Sequence, residues 1–231
     1  MTKLCIFDLD GTLLNTLEDL ADSANHVLAA HHFPTHPVDA YRYFVGNGMP
    51  TLIHRILPAE YRETEVYPIC FNEFLEHYTL HMHDKTTVYE GLTEVLEILQ
   101  QQGVKLAVAT NKVHSTLAPL MANFFPTVKW DALFGQREGV PVKPDPQIVY
   151  DILSATDCTR EETLYFGDTA VDMDTAHRAG LKAVGVLWGY RPRTELEEAQ
   201  ADIIIENPND IVHSFPIFAP TKLLTNKTHT L

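Results

Sequence analysis

The chain has 231 residues, of which 45% are hydrophobic and 21% are charged. This composition is typical of a folded globular protein and unlike that of disordered or fibrous chains. Its 31 acidic and 17 basic residues give a net charge of −14. That balance argues against general binding to nucleic acid or to anionic membranes, because both need an excess of Lys and Arg. Any anion that the protein binds must therefore meet positive charge that is concentrated locally, for example on a metal ion.

The sequence predicts neither export nor a membrane span. No apolar run approaches the roughly 20 residues that cross a bilayer. The first strand-like run reaches Asp8 too soon to hold the apolar core of a signal peptide. The cysteines, Cys5, Cys70 and Cys158, are odd in number and widely spaced. Such usage is typical of a reducing compartment and predicts a cytoplasmic location.

Short apolar runs alternate with helical patterns along most of the chain. The predicted strands cover residues 4–7, 105–110, 163–167, 183–186 and, more weakly, 202–205. The predicted helices cover residues 92–102, 115–123, 146–155 and 169–179. This alternation predicts an α/β fold with a Rossmann-like parallel sheet and helices on both of its faces.

One interval interrupts the alternation. Residues 16–84 follow helical patterns and are far longer than a single crossover between parallel strands requires. We therefore predict a helical subdomain over residues 15–85, inserted into an α/β core of residues 1–14 and 86–231. Residues 215–231 show no strong periodicity, and the sequence does not place them.

The strongest chemical feature is the run Asp8-Leu-Asp10-Gly11-Thr12, which follows the first predicted strand. Side chains alternate along a strand, so Asp8 and Asp10 are expected on the same side. Ligands of open α/β sheets bind beyond the carboxyl ends of the strands. Two carboxylates there favour a hard cation, and Mg²⁺ fits best if the substrate is a phosphate. The alternative is a polar turn in which Asp caps a helix.

Three further elements follow later strands. Asp168 and Asp172 span the start of a predicted helix, Thr110 and Asn111 end the second strand, and Lys143 precedes another helix. Each has an ordinary structural explanation, since acids and polar caps favour helix starts and most lysines are solvated. Together with the first motif they supply oxygen ligands for a cation and donors for a phosphoryl group.

In this order the four elements resemble the haloacid dehalogenase-like hydrolase superfamily, over residues 3–205. Residues 45–48, Val-Gly-Asn-Gly, and residues 110–112, Thr-Asn-Lys, are similar to the phosphoglycolate-phosphatase-like branch, in which a helical cap follows the first motif. The resemblance implies a Mg²⁺-dependent phosphomonoesterase that acts on a small phosphorylated metabolite through an aspartyl-phosphate. Among such metabolites, 2-phosphoglycolate is the leading candidate.

The same resemblance implies a role for each motif residue. Asp8 would attack phosphorus, and Asp10 would protonate the leaving oxygen and then activate water. Asp8, the backbone carbonyl of Asp10 and Asp168 would bind Mg²⁺, and Asp172 would order a metal-bound water or Lys143. The residues expected to hold the phosphoryl group are Thr110, Asn111 and Lys143.

The inserted segment offers candidates for substrate recognition. Arg42 is the candidate for binding a substrate carboxylate, and Gly46 and Asn47 are expected near the substrate. The alternative for Arg42 is an ordinary surface position. His77, His81 and His83 have some zinc-ligand character, but a polar helix face explains them better, because no cysteine lies close by.

Other functions stay open at this stage. A phosphomutase would share the aspartyl-phosphate, and a pyrophosphatase or nucleotidase would share the metal site. A non-catalytic phosphate-binding module is also compatible with the fold, since fold does not fix function. The expected partner is a small phosphate ester, with no nucleic acid and no membrane, and the sequence does not distinguish a monomer from a dimer.

Overall fold

The computed structural model describes residues 1–213, so the unplaced segment 215–231 lies outside the described residues. The strands are β1 (Leu4–Phe7), β2 (Leu14–Asn15), β3 (Thr87–Val88), β4 (Lys105–Val113), β5 (Ala132–Gln136), β6 (Thr163–Gly167), β7 (Lys182–Val186) and β8 (Ile203–Ile205). Six of them form one sheet in the order β5-β4-β1-β6-β7-β8. All neighbours in this sheet pair in parallel, which brings the carboxyl ends of all six strands to one edge.

Helices cover both faces of this sheet. The helices are α1 (Leu17–Ala30), α2 (Tyr41–Phe44), α3 (Met49–Ile56), α4 (Val66–His81), α5 (Leu92–Gln101), α6 (Leu117–Phe124), α7 (Gln147–Thr156), α8 (Ala170–Ala179), α9 (Arg193–Glu198) and α10 (Asp210–His213). None of the helices within residues 1–213 has the length and apolar character that crossing a membrane requires.

Alternation along β1 shows how the two faces are filled. Cys5 and Phe7 belong to one buried cluster, which includes side chains of α5, α6 and α10. Leu4 and Ile6 belong to a second cluster, with side chains of α7, α8 and α9. A strand that is apolar on both sides is expected when helices cover both faces of a parallel sheet. The predicted Rossmann-like α/β fold is therefore confirmed.

The predicted strands and helices of the core are present, with ends that shift by up to three residues. The sequence analysis missed β5, because this short strand lies at the edge of the sheet and is only partly buried. It also ended β4 at residue 110, whereas the strand continues to Val113 through an irregularity in its pairing with β5. Because of this extension, residues 110–112 all belong to β4 itself.

Helices α1 to α4 lie between β2 and β3, within the segment predicted as an inserted subdomain. β2 and β3 pair in an antiparallel ladder, with Leu14 opposite Val88 and Asn15 opposite Thr87. The chain therefore leaves the core and returns to it side by side. Apolar side chains of α1, α3 and α4 belong to the same buried cluster as one face of the sheet. The division into two domains at residues 15 and 85 stays a prediction.

The buried carboxylate of Asp19 joins the two ends of the inserted segment. Asp19 lies in the first turn of α1 and is 2% exposed. Its oxygens accept hydrogen bonds from the backbone N–H groups of Lys85 at 2.9 Å and Thr86 at 2.8 Å. The Thr86 hydroxyl donates a further bond at 2.7 Å. The Asp19 side chain thus ties the residues just before β3 to the first turn of α1.

Replacing Asp19 by Ala is expected to lower the free energy of unfolding by about 2–3 kcal/mol, because the two buried donors of Thr86 and the part-buried N–H of Lys85 lose their acceptor. Asp22→Ala is the matched control on the same helix. Its half-exposed carboxylate pairs with Lys85, and its loss should change the free energy by no more than about 0.5 kcal/mol. Urea unfolding of both variants checks this difference, and equal effects would contradict it.

Candidate active site

The turn after β1 places the first motif at the carboxyl edge of the sheet. The backbone N–H of Asp8 donates to the carbonyl of Phe166 at 2.9 Å, which continues the ladder between β1 and β6. Gly11 has a φ of +89°. A Cβ atom at Gly11 would lie 2.4 Å from an oxygen of Asp168. Only glycine therefore allows the turn to pack against that carboxylate.

Three carboxylates of the two acidic motifs meet behind this turn. One oxygen from each of Asp8, Asp168 and Asp172 lies within 4.8 Å of the others. The Asp8 residue is 6% exposed, and Asp168 and Asp172 are fully buried. The ammonium group of Lys143 lies between two of them, 2.8 Å from Asp8 and 2.7 Å from Asp172. The structure thus brings together these four residues, which the sequence analysis selected from three separate strand ends.

Burial and mutual repulsion shift the ionisation of these groups. Burial, followed by repulsion from Asp172, raises the pKa of Asp8 to about 7, although Lys143 pulls it down. Burial and repulsion from Asp172 and Asp8 hold the pKa of Asp168 well above its ordinary range. Burial alone would lower the pKa of Lys143, but Asp172 and Asp8 more than offset it and raise that pKa. The single positive charge of Lys143 is therefore too little to balance the three carboxylates in their ionised forms.

Hydrogen bonds within the protein already use both oxygens of Asp172. Oδ1 accepts from Lys143 at 2.7 Å and from the Tyr165 hydroxyl at 3.4 Å. Oδ2 accepts from the backbone N–H and the hydroxyl of Thr169, at 3.1 and 2.7 Å. The bond from the Thr169 N–H is one half of the capping box at the start of α8. With four bonds accepted in this way, Asp172 positions Lys143. The other two carboxylates accept fewer bonds, so Asp8 and Asp168 are better placed to receive an ion.

Two hydrogen bonds fix the orientation of the Asp168 carboxylate. Its Oδ1 accepts from the Thr12 hydroxyl at 3.2 Å and its Oδ2 from the backbone N–H of Tyr190 at 2.7 Å. Tyr190 follows β7, whose carboxyl end adjoins that of β6. Its hydroxyl also accepts from the backbone N–H of Thr16 at 2.9 Å. The sequence analysis missed Tyr190, although the rule that ligands lie beyond strand ends applies to β7 as well.

Asp10 forms a second ion pair with a buried lysine. Its Oδ1 accepts from the Thr16 hydroxyl at 2.7 Å and from the ammonium group of Lys112 at 3.1 Å. Lys112 also donates to the Tyr78 hydroxyl of α4 at 2.7 Å. Burial lowers the pKa of Lys112, but Asp10 and Tyr78 more than offset this and raise it above its usual value. Sequence reasoning noted Lys112 as part of Thr-Asn-Lys without assigning it to the site.

The charge count of the whole site fits a divalent cation. Four carboxylates from the two acidic motifs face two ammonium groups, those of Lys112 and Lys143. When all four carboxylates are ionised, two negative charges are left without compensation, and uncompensated buried charge is unfavourable. Carboxylate oxygens are the ligands that hard divalent ions prefer. The residues present therefore fit a cation held by Asp8 and Asp168.

The predicted phosphate-binding residues Thr110 and Asn111 lie on β4, and Asn111 bonds to Lys143. Thr110 is buried, and its hydroxyl accepts from the backbone N–H of Lys112 at 3.2 Å. The Asn111 amide donates to the carbonyls of Gly46 at 3.1 Å and Lys143 at 3.2 Å, and its oxygen accepts from the Lys143 N–H at 2.8 Å. Asn111 thus ties the Lys143 loop to the inserted segment. Direct contact of Thr110 and Asn111 with phosphate stays a prediction.

The inserted segment closes a small cavity above Asp8 and Asp10. Gly46 lines this cavity. Arg42 lies elsewhere, where it pairs with Asp39 at 2.7 Å and borders a groove with Trp188. Asn47 lies outside the cavity too, and its side-chain oxygen accepts from Arg55 at 2.8 Å. The structure therefore brings Gly46 to the carboxylates but does not bring Arg42 or Asn47 there.

Arg191 is a further residue that sequence reasoning missed. It follows β7 and donates from Nη2 to the carbonyl of Val45 at 3.1 Å, while Nε pairs with Glu195 at 3.1 Å. Its guanidinium also lies 5.2 Å from the centre of the Tyr43 ring. These contacts hold the loop before α3 against the core. Arg191, like Tyr190, could have been selected from the sequence because it follows the end of a strand.

The histidines at the end of α4 contact other protein groups. The rings of His77 and His81 stack at 4.3 Å, and their Nδ1 atoms bond to Ser23 and Asp84, respectively. Within residues 1–213 the carboxylate cluster is the one group of three or more ligand atoms close enough to share an ion. The structure therefore does not bring His77, His81 and His83 together as a ligand group, and a polar helix face stays the preferred explanation.

Comparisons with known proteins agree with this geometry. The family model described as haloacid dehalogenase-like hydrolase matches residues 5–186. The phosphoglycolate phosphatase of Haemophilus influenzae is 32% identical over 89% of this chain and 94% of the relative. That of Mesorhizobium japonicum is 34% identical over 82% and 85%. The crystal structure of a predicted phosphoglycolate phosphatase from Haemophilus somnus has a TM-score of 0.86 and 30% identity, and the match covers 92% of this chain and 97% of that one. The resemblance inferred from the motifs is confirmed.

Magnesium is expected to stabilise the protein more at pH 8 than at pH 5. The Asp8 carboxyl, whose pKa rises on folding, contributes stability below its unfolded value of 3.8, and this contribution is lost as the pH rises through the folded value of about 7. A cation that binds the ionised carboxylate restores the stability that is lost at high pH. With MgCl₂ at about 100 times its Kd, the melting temperature at pH 8 should rise by roughly 5–10 °C.

Thermal melts in EDTA and in MgCl₂ at both pH values check this expectation. NaCl at matched ionic strength is the control for screening, and it should leave the melting temperature nearly unchanged. An equal magnesium shift at pH 5 and pH 8 would show that the buried carboxylates are not responsible.

Proposed function

We propose a specific reaction for this chain, which belongs to the haloacid dehalogenase-like hydrolase family and is a phosphatase. The reaction is the Mg²⁺-dependent hydrolysis of a small phosphate monoester, with 2-phosphoglycolate as the leading substrate. The observation that carries the proposal is the pairing of two carboxylates with two buried lysines. Asp8 contacts Lys143 at 2.8 Å, and Asp10 contacts Lys112 at 3.1 Å.

Asp8 is the nucleophile of the proposed mechanism. A carboxylate oxygen of Asp8 attacks phosphorus, the bond from phosphorus to the ester oxygen breaks, and an aspartyl-phosphate forms. Lys143 favours the ionised form of Asp8 and neutralises charge on the phosphoryl oxygens. Asp168 and Asp8, with the backbone carbonyl of Asp10, would hold Mg²⁺. When bound, this ion supplies positive charge to the phosphoryl oxygens.

Asp10 acts on the other side of the scissile bond. As a carboxylic acid it donates its proton to the leaving oxygen. As a carboxylate it then takes a proton from the water that attacks phosphorus, while the bond from phosphorus to the Asp8 oxygen breaks and inorganic phosphate is released. The Thr16 hydroxyl at 2.7 Å and the Lys112 ammonium group at 3.1 Å hold its side chain in one orientation. Two carboxylates in different surroundings thus take two different roles.

The cavity favours a small substrate. Its volume above Asp8 and Asp10 is about 30 Å³, roughly the space of one or two water molecules, so any substrate must displace part of the lining. A compact phosphate ester therefore requires less displacement of the loop before α3 than a nucleotide does. Relatives named as phosphoglycolate phosphatases support 2-phosphoglycolate in particular. Cys5, Cys70 and Cys158 are free thiols, which suits the proposed cytoplasmic location.

Asp8→Asn is expected to lower kcat for 2-phosphoglycolate by at least about 1,000-fold, because the amide is a far weaker nucleophile at phosphorus. Asp174→Asn is the control, since its side chain forms a half-exposed ion pair with Arg178 on α8 and its loss should change kcat by less than about twofold. Release of inorganic phosphate, measured over a panel of phosphate esters with MgCl₂, checks both variants.

The same panel separates the alternatives. Release of phosphate from monoesters identifies a phosphatase, whereas formation of an isomer that depends on a bisphosphate would identify a phosphomutase. Preference for pyrophosphate or nucleoside monophosphates would replace the proposed substrate class. Full activity of the Asp8→Asn variant would contradict the mechanism itself.

A further inference from the structure

We infer that Lys112 determines substrate specificity, because its ammonium group is placed to bind a carboxylate that the substrate carries beside its phosphate ester. The inference rests on the proposed function and narrows its substrate class to small phosphorylated carboxylic acids. It also transfers the role of carboxylate recognition from Arg42, on the inserted segment, to a lysine of the core.

The position of Lys112 is fixed from two sides. The residue lies on β4, and its side chain is 1% exposed. Its Nζ atom contacts Asp10 at 3.1 Å and the hydroxyl of Tyr78 at 2.7 Å, and it lies 4.7 Å from the centre of the Tyr78 ring. A core strand and a helix of the inserted segment therefore hold the charge together. A long side chain so constrained loses little further conformational entropy on binding a ligand.

One donor of this ammonium group has no partner within the protein. An ammonium group carries three N–H donors, and within residues 1–213 Nζ of Lys112 has two hydrogen-bond acceptors, Asp10 and Tyr78. Lys143 differs, because Asp8, Asp172, the carbonyl of Ala109 and the Tyr165 hydroxyl surround its Nζ atom. Lys112 thus retains a donor for a ligand.

Lys112 is the residue of the cavity lining that can pair with a second anionic group of the substrate. Among the residues that line the cavity above Asp8 and Asp10, Lys112 is the basic one. The wall formed by Leu20, Met49 and Leu52 is apolar and would leave a carboxylate unpaired. The ammonium group is therefore the place where this cavity can accept a negative charge.

The contact with Asp10 indicates where on the substrate that charge lies. Asp10 faces the leaving oxygen in the proposed mechanism, and Lys112 touches Asp10 at 3.1 Å. A group bound to Lys112 therefore lies close to the ester oxygen. A carboxylate attached to the carbon that bears this oxygen satisfies the geometry with the fewest atoms.

The test compares two substrates that differ in charge and hardly in shape: 2-phosphoglycolate and its neutral carboxamide, 2-phosphoglycolamide. The wild-type protein is expected to prefer the carboxylate by about 10- to 100-fold in kcat/KM, the contribution of a charge-assisted hydrogen bond. Lys112→Met should remove this preference, and most of the loss should appear in KM. Lys112→Arg keeps the charge and should retain a reduced preference.

A binding measurement supplies a readout that does not depend on turnover. Calorimetric titration of 2-phosphoglycolate into the Asp8→Asn variant should give about 10- to 100-fold tighter binding than titration into the Asp8→Asn/Lys112→Met double variant. Tyr78→Phe is the structural control, because it keeps the ring and removes the hydroxyl that holds Nζ. It should preserve most of the preference. Circular dichroism establishes that each variant is folded, and Lys112→Gln replaces Lys112→Met if that variant is not.

The outcomes are distinct. If the wild-type protein hydrolyses both substrates equally, or if Lys112→Met and Lys112→Gln keep the full preference for the carboxylate, the inference is wrong while the phosphatase function stands. If the wild-type protein hydrolyses p-nitrophenyl phosphate but neither 2-phosphoglycolate nor its amide, the proposed substrate and the role of Lys112 both fail.

Discussion

The ammonium group of Lys143 lies between the carboxylates of Asp8 and Asp172, and the site depends on this contact. All three side chains are almost fully buried. Removing one partner from such a group leaves an uncompensated charge in a region of low dielectric constant, which lowers the free energy of unfolding by several kcal/mol. The arrangement is possible because parallel strands deliver their carboxyl ends to one edge of the sheet. Asp8 follows β1, and Asp172 lies in the first turn of the helix after the neighbouring strand β6.

A second buried pair extends this electrostatic arrangement from the core to the inserted segment. Lys112 on β4 neutralises Asp10 and also donates to Tyr78 on α4. The orientation of Asp10 is consequently linked to the position of a helix outside the sheet. Asn111, one residue earlier, donates to the carbonyl of Gly46. Two successive residues of one strand thus connect the acidic motif, the Lys143 loop and the inserted segment.

The order of strands and helices and the core motif residues were predictable, because each depends on local patterns and on one general rule. Apolar runs marked the strands, and ligand groups follow strand ends, which selected Asp8, Asp10 and Asp168. The direction of Lys112 was not predictable, since it depends on how α4 packs against the core. The position of Arg42 was not predictable for the same reason: nothing local shows that it borders a groove with Trp188 and not the cavity. The edge strand β5 lacked a sufficiently long apolar pattern.

The acidity of the inserted segment explains why the cations of the site come from the core. Residues 15–85 contain ten acidic and four basic residues. The four basic side chains are engaged away from the cavity: Arg42 with Asp39, Lys85 with Asp22, and Arg55 and Arg62 with backbone carbonyls. A phosphate ester that approaches this surface meets net negative charge, which disfavours polyanions. Within residues 1–213 the ammonium groups that pair with Asp8 and Asp10 are those of Lys143 and Lys112, so in the proposed mechanism the attraction for a small anion comes from the core and not from the inserted segment.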